Sequence, residues 1–187
     1  MRREWNLLSH VCTYAVREWG WLRVNPFKGL SRPAGGKPRD RIASETELDL
    51  LLERASPQMG RVITFAVETG MRAGEIASHP EVKGRVAYLL DSKNGTSREV
   101  PLSAAALEAW GEGITLKASS ISALFAQLCR EAKVEGLTFH DLRRTAIVRL
   151  AAKLSPMELA KMVGHKDLRM TLNTYYRADM EEVAKKL

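Results

Sequence analysis

A histidine and an arginine stand three residues apart at the start of a helical stretch, His140 and Arg143 in Thr-Phe-His-Asp-Leu-Arg-Arg-Thr. Residues three apart are neighbours on one helix face, so the two groups would share a surface. Such a pair could bind an anionic group, because a guanidinium is always charged and its planar fork matches a phosphate. The spacing alone favours the ordinary interpretation, which is solvated surface charges beside a helix end.

Four further places carry groups of the kind that phosphate chemistry uses. They are Arg72 three residues before Glu75, Lys93 in a Lys-Asn-Gly turn, His165 after Gly164, and the pair Tyr175-Tyr176. Each also has an ordinary structural interpretation. An ion pair at a helix end, a solvated turn, a helix C-terminus and partly buried packing would explain them one at a time.

The sequence lacks the signatures of metal-dependent or nucleotide-dependent chemistry. No glycine-rich phosphate loop is present, the four histidines and two cysteines fall into no ligand spacing, and no carboxylate cluster indicates a two-metal site. We therefore predict no cofactor and no metal. Phosphate chemistry here would depend on cationic side chains.

The composition is typical of a globular protein. The 187 residues, 45% hydrophobic and 27% charged, suffice for one domain and part of another. Two distant cysteines, Cys12 and Cys129, exclude a disulfide scaffold and favour a reducing compartment. No apolar run approaches the ~18 residues of a membrane span, and no signal-peptide core is present. We expect a soluble, cytoplasmic protein.

Positive charge is concentrated at the start of the chain. The net charge is +7, and residues 1–43 hold nine basic and three acidic residues, which is +6 of that total. The remaining 144 residues are close to neutral. A basic arm on a neutral body favours a polyanionic partner, of which nucleic acid is the first candidate.

The first 41 residues do not form a domain by themselves. Apolar residues at helical spacing predict an amphipathic helix over residues 5–21, ended by Asn25-Pro26, and a Pro- and Gly-rich basic linker follows. A lone helix cannot bury its own apolar stripe. We therefore predict that residues 1–30 are the last helix of a truncated upstream domain, that 31–41 are an interdomain linker and that 42–187 form the main domain.

The main domain is predicted to be mainly helical with one small antiparallel sheet, an α+β fold. A capping box at Ser44 and Glu47 starts its first helix, and Asn94-Gly95 favours a hairpin between two strands. The strands are predicted at 85–90 and 98–101. The other helices are predicted at 58–69, 103–110, 120–133, 140–154, 156–163 and 179–187.

Taken in order, the candidate groups resemble the motifs of the tyrosine recombinase (phage integrase) family. The matching boxes are Thr-Gly-Met-Arg-Ala-Gly-Glu around Arg72, the Lys93 hairpin running into Arg-Glu-Val-Pro-Leu, His-Asp-Leu-Arg-Arg-Thr from His140, Val-Gly-His before Lys166, and a tyrosine about ten residues on. The resemblance covers residues 42–187, the whole catalytic domain. Residues 5–30 resemble the last helix of the family's core-binding domain.

The resemblance implies a site-specific recombinase that cleaves and rejoins DNA through a 3′-phosphotyrosine, without metal or nucleotide. Carried over by position, the catalytic residues are Arg72, Lys93, His140, Arg143, His165 and Tyr175. The arginines would clamp the scissile phosphate, the lysine would protonate the leaving oxygen and the tyrosine would attack. Glu75 and Asp141 resemble supporting residues. The implied partner is double-stranded DNA in the nucleoid. The chain would form a homotetramer on the synaptic DNA complex, and a monomer is compatible with the isolated protein.

Two departures from the family pattern stand out. The usual gap of nine residues after the second histidine falls on Thr174, so one residue is inserted before Tyr175, which we favour over Tyr176 as nucleophile. The connection over residues 76–85 is shorter than usual, which would alter the first edge of the sheet. Three alternatives stay open: a type IB topoisomerase-like enzyme, a catalytically inactive DNA-binding relic and a plain helical DNA-binding module.

The end of the chain predicts a contact whose partner the sequence does not define. Apolar residues in 179–187 form a helical stripe, at Met180, Val183, Ala184 and Leu187. In the family a terminal helix packs on a neighbouring protomer. Here the stripe fits that role and packing on its own domain equally well.

Overall fold

The computed structural model of the protein describes residues 2–35, 39–90, 97–165, 167–169 and 172. The chain divides into two compact units, Met1–Arg39 and Asp40–Leu187. The predicted roles of residues 1–30, 31–41 and 42–187 as domain tail, linker and catalytic domain stay predictions.

The first unit is built on one helix, α1 (Arg2–Arg17). This helix ends four residues earlier than the sequence pattern predicts. The chain turns away at Gly20, which has φ +66°, and the amide of Trp21 donates to the carbonyl of Ala15 at 2.9 Å. The side chain of Asn25 then donates to the Ser9 carbonyl at 3.0 Å and so ties the following segment to the helix.

The second unit contains seven helices and three strands among its described residues. They are α2 (Glu45–Arg54), α3 (Pro57–Thr69), α4 (Ala73–Ile76), β1 (Glu81–Lys83), β2 (Val86–Leu89), β3 (Arg98–Pro101), α5 (Ala104–Trp110), α6 (Ala118–Glu131), α7 (Phe139–Ala151) and α8 (Pro156–Val163). The predicted capping box of Ser44 and Glu47 is present, and Ser155 and Glu158 form a second one at α8. These caps satisfy amides that a helix start leaves unpaired.

The sheet has the order β1-β2-β3, with both neighbouring pairs antiparallel. The sequence predicts β2 and β3 but misses β1, which lies in the short connection after Ile76. Glu81 pairs with Tyr88 and Lys83 with Val86, and a tight turn with Gly84 at φ +57° joins the two strands. Residues 91–96, between β2 and β3, lie outside the described residues.

The core of the second unit lies around α3. Its inward face is fully buried at Val62, Phe65 and Ala66, and it contacts both α5 and α7. Phe125 of α6 and Leu142 of α7 are fully buried in the same core. The predicted fold class, mainly helical with a small antiparallel sheet, is confirmed. No helix within the described part of the chain is long and apolar enough to cross a membrane.

Candidate active site

Arg143 is buried at the junction of three helices. It lies on α7, its side chain is 6% exposed, and its guanidinium donates to the Gly70 carbonyl at 2.7 Å and to the Val163 carbonyl at 2.6 Å. Gly70 ends α3 and Val163 ends α8, where helix carbonyls lack partners and the helix dipole is negative. These two bonds fix the plane and position of the guanidinium.

Arg72 is placed by the turn between α3 and α4. Gly70 has φ +65°, a left-handed conformation that suits glycine, and Thr69 Oγ1 accepts from the Met71 amide at 3.3 Å. Arg72 then occupies the N-cap position of α4. Its side chain is 42% exposed, in contrast to that of Arg143. The turn thus places the accessible guanidinium of Arg72 at the same cleft as the buried guanidinium of Arg143.

Three of the predicted site residues line one cleft of about 250 Å³. They are Arg72, His140 and Arg143, and the lining is completed by Met71, Ala73, Gly74, Ser122 and Phe139. His140 is exposed on the first turn of α7, one helical turn before Arg143. Two guanidinium groups and an imidazole on a single cleft could bind an anion through several hydrogen-bond donors. Ser122 of α6 was not foreseen, because nothing in its local sequence marks it.

Glu75 is the buried carboxylate that holds the arginines together. Its Oε2 accepts from the Arg72 amide at 2.8 Å, and its Oε1 accepts from Arg72 Nη1 at 2.6 Å. Arg143 Nη1 lies 4.0 Å from Oε2. Burial alone would raise the pKa of Glu75, but the bonds from Arg98 and Arg72 outweigh it and lower that pKa to about 2. Glu75 is therefore ionised at every physiological pH, and its supporting role in the site stays a prediction.

Arg98, the first residue of β3, binds both oxygens of this carboxylate. Its Nη1 and Nη2 donate to the two oxygens of Glu75 at 2.9 and 2.7 Å, and its Nε donates to the Met162 carbonyl at 3.0 Å. Sequence reasoning treated Arg98 only as part of a strand motif. A signal was present, because Arg98 is two residues from the buried Val100 and so lies on the inward face of the strand.

His165 follows the turn that ends α8. Gly164 forms that turn at φ +71°, and the amide of His165 donates to the Ala160 carbonyl at 2.9 Å. Partial burial of the ring lowers the pKa of His165, and the charges of Arg143, Arg72 and Arg98 lower it further. The imidazole is therefore neutral at pH 7 and can donate one hydrogen bond from a ring nitrogen.

The remaining predicted groups, Lys93, Tyr175 and Tyr176, lie outside the described residues, as does the predicted helix at 179–187. Their roles therefore stay predictions. Among the described residues, no three His, Cys, Asp or Glu side chains come together in a way that could hold a metal ion.

Solved structures share this fold. A lambda integrase dimer bound to a COC′ core site superimposes with a TM-score of 0.77 at 20% identity, covering 96% of this chain and 59% of that one. The Tn1549 transposon integrase in complex with circular intermediate DNA gives 0.74 at 16% identity, covering 98% and 77%. At such identities the likeness concerns the fold: a small three-stranded sheet on a helical body, as in an integrase catalytic domain.

Sequence relatives define the family. A Haemophilus influenzae protein named "Putative integrase/recombinase" is 37% identical over 100% of this chain and 69% of its own length. The Escherichia coli shufflon-specific DNA recombinase is 32% identical over 91% of this chain, which spans 49% of that protein. The Phage integrase family profile matches residues 112–182. The chain belongs to the phage integrase family of DNA recombination enzymes, as its sequence motifs predict.

Proposed function

We propose that this protein is a site-specific DNA recombinase that cuts and rejoins strands through a 3′-phosphotyrosine intermediate. The observation that carries the proposal is the meeting of Arg72, His140 and Arg143 on one cleft, with Glu75 fixing the first arginine. The proposal is also supported by the relatives whose names include recombinase, because their similarity extends over 91–100% of this chain. The chain spans only part of their length, from about half to 69%, so the complete activity is itself proposed.

In the proposed reaction, the phenol oxygen of Tyr175 attacks the scissile phosphorus. A P–O bond to tyrosine forms, the bond to the 5′-oxygen breaks, and the leaving oxygen takes a proton from Lys93. His140 accepts the phenol proton, and the 5′-hydroxyl of a partner strand later reverses the sequence. Because the phosphodiester energy is kept in the covalent intermediate, no nucleotide is consumed.

The cationic cleft would accelerate this step by electrostatic stabilisation. Negative charge grows on the two non-bridging oxygens in the transition state, and Arg72, Arg143 and the neutral His165 supply fixed donors for them. A tyrosine with its free pKa near 10 is only about 0.1% ionised at pH 7. Cationic neighbours favour the phenolate and so raise that fraction.

The proposed partner is double-stranded DNA in the nucleoid, in the cytoplasm. Lambda integrase and the Tn1549 integrase were both solved with DNA, and the former as a dimer. We propose that this chain assembles as a tetramer when two DNA sites are paired. A monomer in isolation is consistent with this proposal.

A covalent trapping experiment tests the mechanism. A duplex would first be selected from a random-sequence pool by its affinity for the Tyr175→Phe/Tyr176→Phe protein. Nicked suicide versions of that duplex, which release a short 5′-ended fragment, would then be incubated with wild type, Tyr175→Phe and Tyr176→Phe in the presence of chelator. We expect a chelator-resistant protein–DNA adduct that disappears only in Tyr175→Phe.

The other outcomes separate the alternatives. Loss of the adduct only in Tyr176→Phe would keep the tyrosine mechanism and move the nucleophile by one residue. An adduct that forms only without chelator would contradict the metal-independent reaction. Tight binding of the selected duplex without any adduct, from wild type and from any longer natural form of the chain, would identify an inactive DNA-binding relic.

A further inference from the structure

We propose that Arg98 is a positioning residue of the strand-cleavage site, which sets the places of Arg72 and His165 without touching DNA. This inference rests on the proposed function, because Arg72 and His165 bind the scissile phosphate only if that function is right. Arg98 itself lies outside the cleft that Arg72 lines. Its own evidence is the hydrogen-bond network that joins three separate elements through this one guanidinium.

Arg98 joins β3, α4 and α8. Two of its nitrogens donate to the two oxygens of Glu75 on α4 at 2.9 and 2.7 Å, and the third donates to the Met162 carbonyl on α8 at 3.0 Å. All three nitrogens of the planar group are thus used at once. A guanidinium bound along both of its edges cannot rotate without breaking a bond.

The effect on Arg72 passes through Glu75. The Glu75 carboxylate, which Arg98 binds, also accepts hydrogen bonds from the backbone amide and the guanidinium of Arg72, at 2.8 and 2.6 Å. Because Arg98 occupies both oxygens side by side, it fixes the plane of the carboxylate. Arg72 is the accessible arginine of the cleft, at 42% exposure, whereas the Arg98 side chain is 9% exposed. The buried arginine therefore sets the direction of the accessible one.

The effect on His165 passes through the turn that precedes it. A Cβ added to Gly164 would lie 3.1 to 3.3 Å from the Cδ, Nη1 and Nε atoms of Arg98. The guanidinium thus packs directly on the backbone of the turn while bonding to Met162 two residues earlier. The position at which the chain leaves α8 and presents His165 is consequently tied to β3.

Charge alone would not suffice for this role. A lysine at position 98 would keep the positive charge beside Glu75, but its single nitrogen could not bind both carboxylate oxygens and the Met162 carbonyl in one plane. Arg98→Lys thus separates geometry from charge. Arg98→Gln removes both.

The test measures the single-turnover rate of adduct formation with the nicked suicide duplex, on the full chain, at temperatures well below unfolding. We expect Arg98→Lys to cleave about 10- to 100-fold more slowly than wild type, because displacements of about 1 Å have effects of that size. Duplex affinity would be measured in proteins that also carry Tyr175→Phe and Tyr176→Phe, so that no cleavage occurs. The dissociation constant with Arg98→Lys should stay within about twofold of that with Arg98, since Arg98 does not line the cleft.

Arg61 provides the matched control. Its side chain is also partly buried and bonds to the carbonyls of Ala109, Trp110 and Gly113, on the side of α3 that packs on α5. Arg61→Lys should lower the melting temperature and leave the cleavage rate of the folded protein unchanged. Equal rate losses in Arg61→Lys and Arg98→Lys would overturn the proposal, since loss of stability would then explain both.

The pH dependence of the cleavage rate gives a second test, because a purely structural role of Arg98 would not change it. Glu75 faces Arg72 of its own helix start, Arg98 of β3 and Arg143 of α7. In Arg98→Gln the carboxyl loses its bidentate partner while remaining buried, so its pKa rises. We expect the cleavage rate of this variant to fall from pH 8 to pH 5 more steeply than that of wild type, and parallel profiles would contradict the proposal.

A wild-type result separates this inference from the proposed function. If wild type forms no adduct, strand cleavage itself fails. If wild type cleaves and Arg98→Lys cleaves at the same rate, recombinase function stands and the assignment of Arg98 is wrong.

Discussion

The two arginines of the cleft are held in different ways, and this difference governs what each contributes. Arg143 is buried and donates hydrogen bonds to carbonyl oxygens at the C-terminal ends of α3 and α8, those of Gly70 and Val163. Arg72 is half-exposed and bonds to a side chain, Glu75. Arg143 therefore stabilises the fold as well as lining the cleft, whereas Arg72 contributes mainly to the cleft.

Alanine substitutions should separate these roles. Arg72→Ala and Arg143→Ala should each slow adduct formation by about 10²–10³-fold, the usual loss for one transition-state donor. Arg143→Ala should also lower the free energy of unfolding by about 2–4 kcal/mol, because it leaves two buried carbonyls without a donor. Arg72→Ala should change it by less than about 1 kcal/mol. Urea unfolding checks this, and equal destabilisation by the two variants would contradict it.

Glu75 gives the site a defined dependence of stability on pH. Its pKa is about 2 in the folded protein, below the ordinary value of 4.5, so its contribution is complete above about pH 4.5 and is lost as the pH falls toward 2. Glu75→Gln should therefore lower the free energy of unfolding by about 3 kcal/mol at pH 7. The difference from wild type, measured by urea unfolding, should shrink between pH 4.5 and pH 2. A constant difference would show that the charge of Glu75 is not its cause.

At the scale of the elements, helix ends place the groups of the candidate site. Gly70 ends α3 just before Arg72, and Gly164 ends α8 just before His165, both with positive φ. The start of α8 is fixed by the capping box of Ser155 and Glu158. A helix fixed at both ends delivers the residue after its last turn to a defined place.

A pair of glycine substitutions tests this statement. Gly164→Ala should lower the free energy of unfolding by about 1–2 kcal/mol, because alanine disfavours φ +71° and its Cβ would press on Arg98. Gly60→Ala, inside α3, has no atom closer than 3.9 Å and should raise it by about 0.5–1 kcal/mol. Thermal unfolding with adduct assays would check both. A Gly164→Ala protein as stable and active as wild type would refute the role of the turn.

At the scale of the whole molecule, charge and chemistry are divided between the two units. Residues 1–39 hold eight basic and two acidic residues, a net charge of +6, which leaves +1 for residues 40–187. The cleft with Arg72, His140 and Arg143 lies in the second unit. In the proposed function, electrostatic attraction to the DNA backbone would therefore depend mostly on the first unit, and strand cleavage on the second.

The salt dependence of duplex binding checks this division. Lys28→Gln/Arg32→Gln removes two charges from the first unit, and each lost phosphate contact should reduce the slope of log K against log salt by about 0.9. Lys83→Gln/Lys153→Gln removes the same charge from the second unit and should reduce the slope less. Fluorescence anisotropy at four salt concentrations measures both slopes. Equal slopes for the two double variants would contradict a leading role for the basic arm.

The sequence by itself determined the features that depend on near neighbours. Caps such as Ser44 with Glu47 mark helix starts because their bonds span only three residues, so most helices of the second unit and the fold class could be predicted. The family motifs also predicted that Arg72, His140 and Arg143 belong to one site. The early end of α1 and the short strand β1 were missed, because each depends on a local turn with too few residues to form a pattern.

Only the tertiary structure decided how the site is held. Arg98 and Glu75 are 23 residues apart, Arg98 and Met162 are 64 apart, and Gly70 and Arg143 are 73 apart. No periodicity connects such positions, and a charged residue in a strand is exposed more often than buried. Burial of Arg98 becomes favourable only when Glu75 and the end of α8 meet it, since a buried charge requires partners that distant segments of the chain supply.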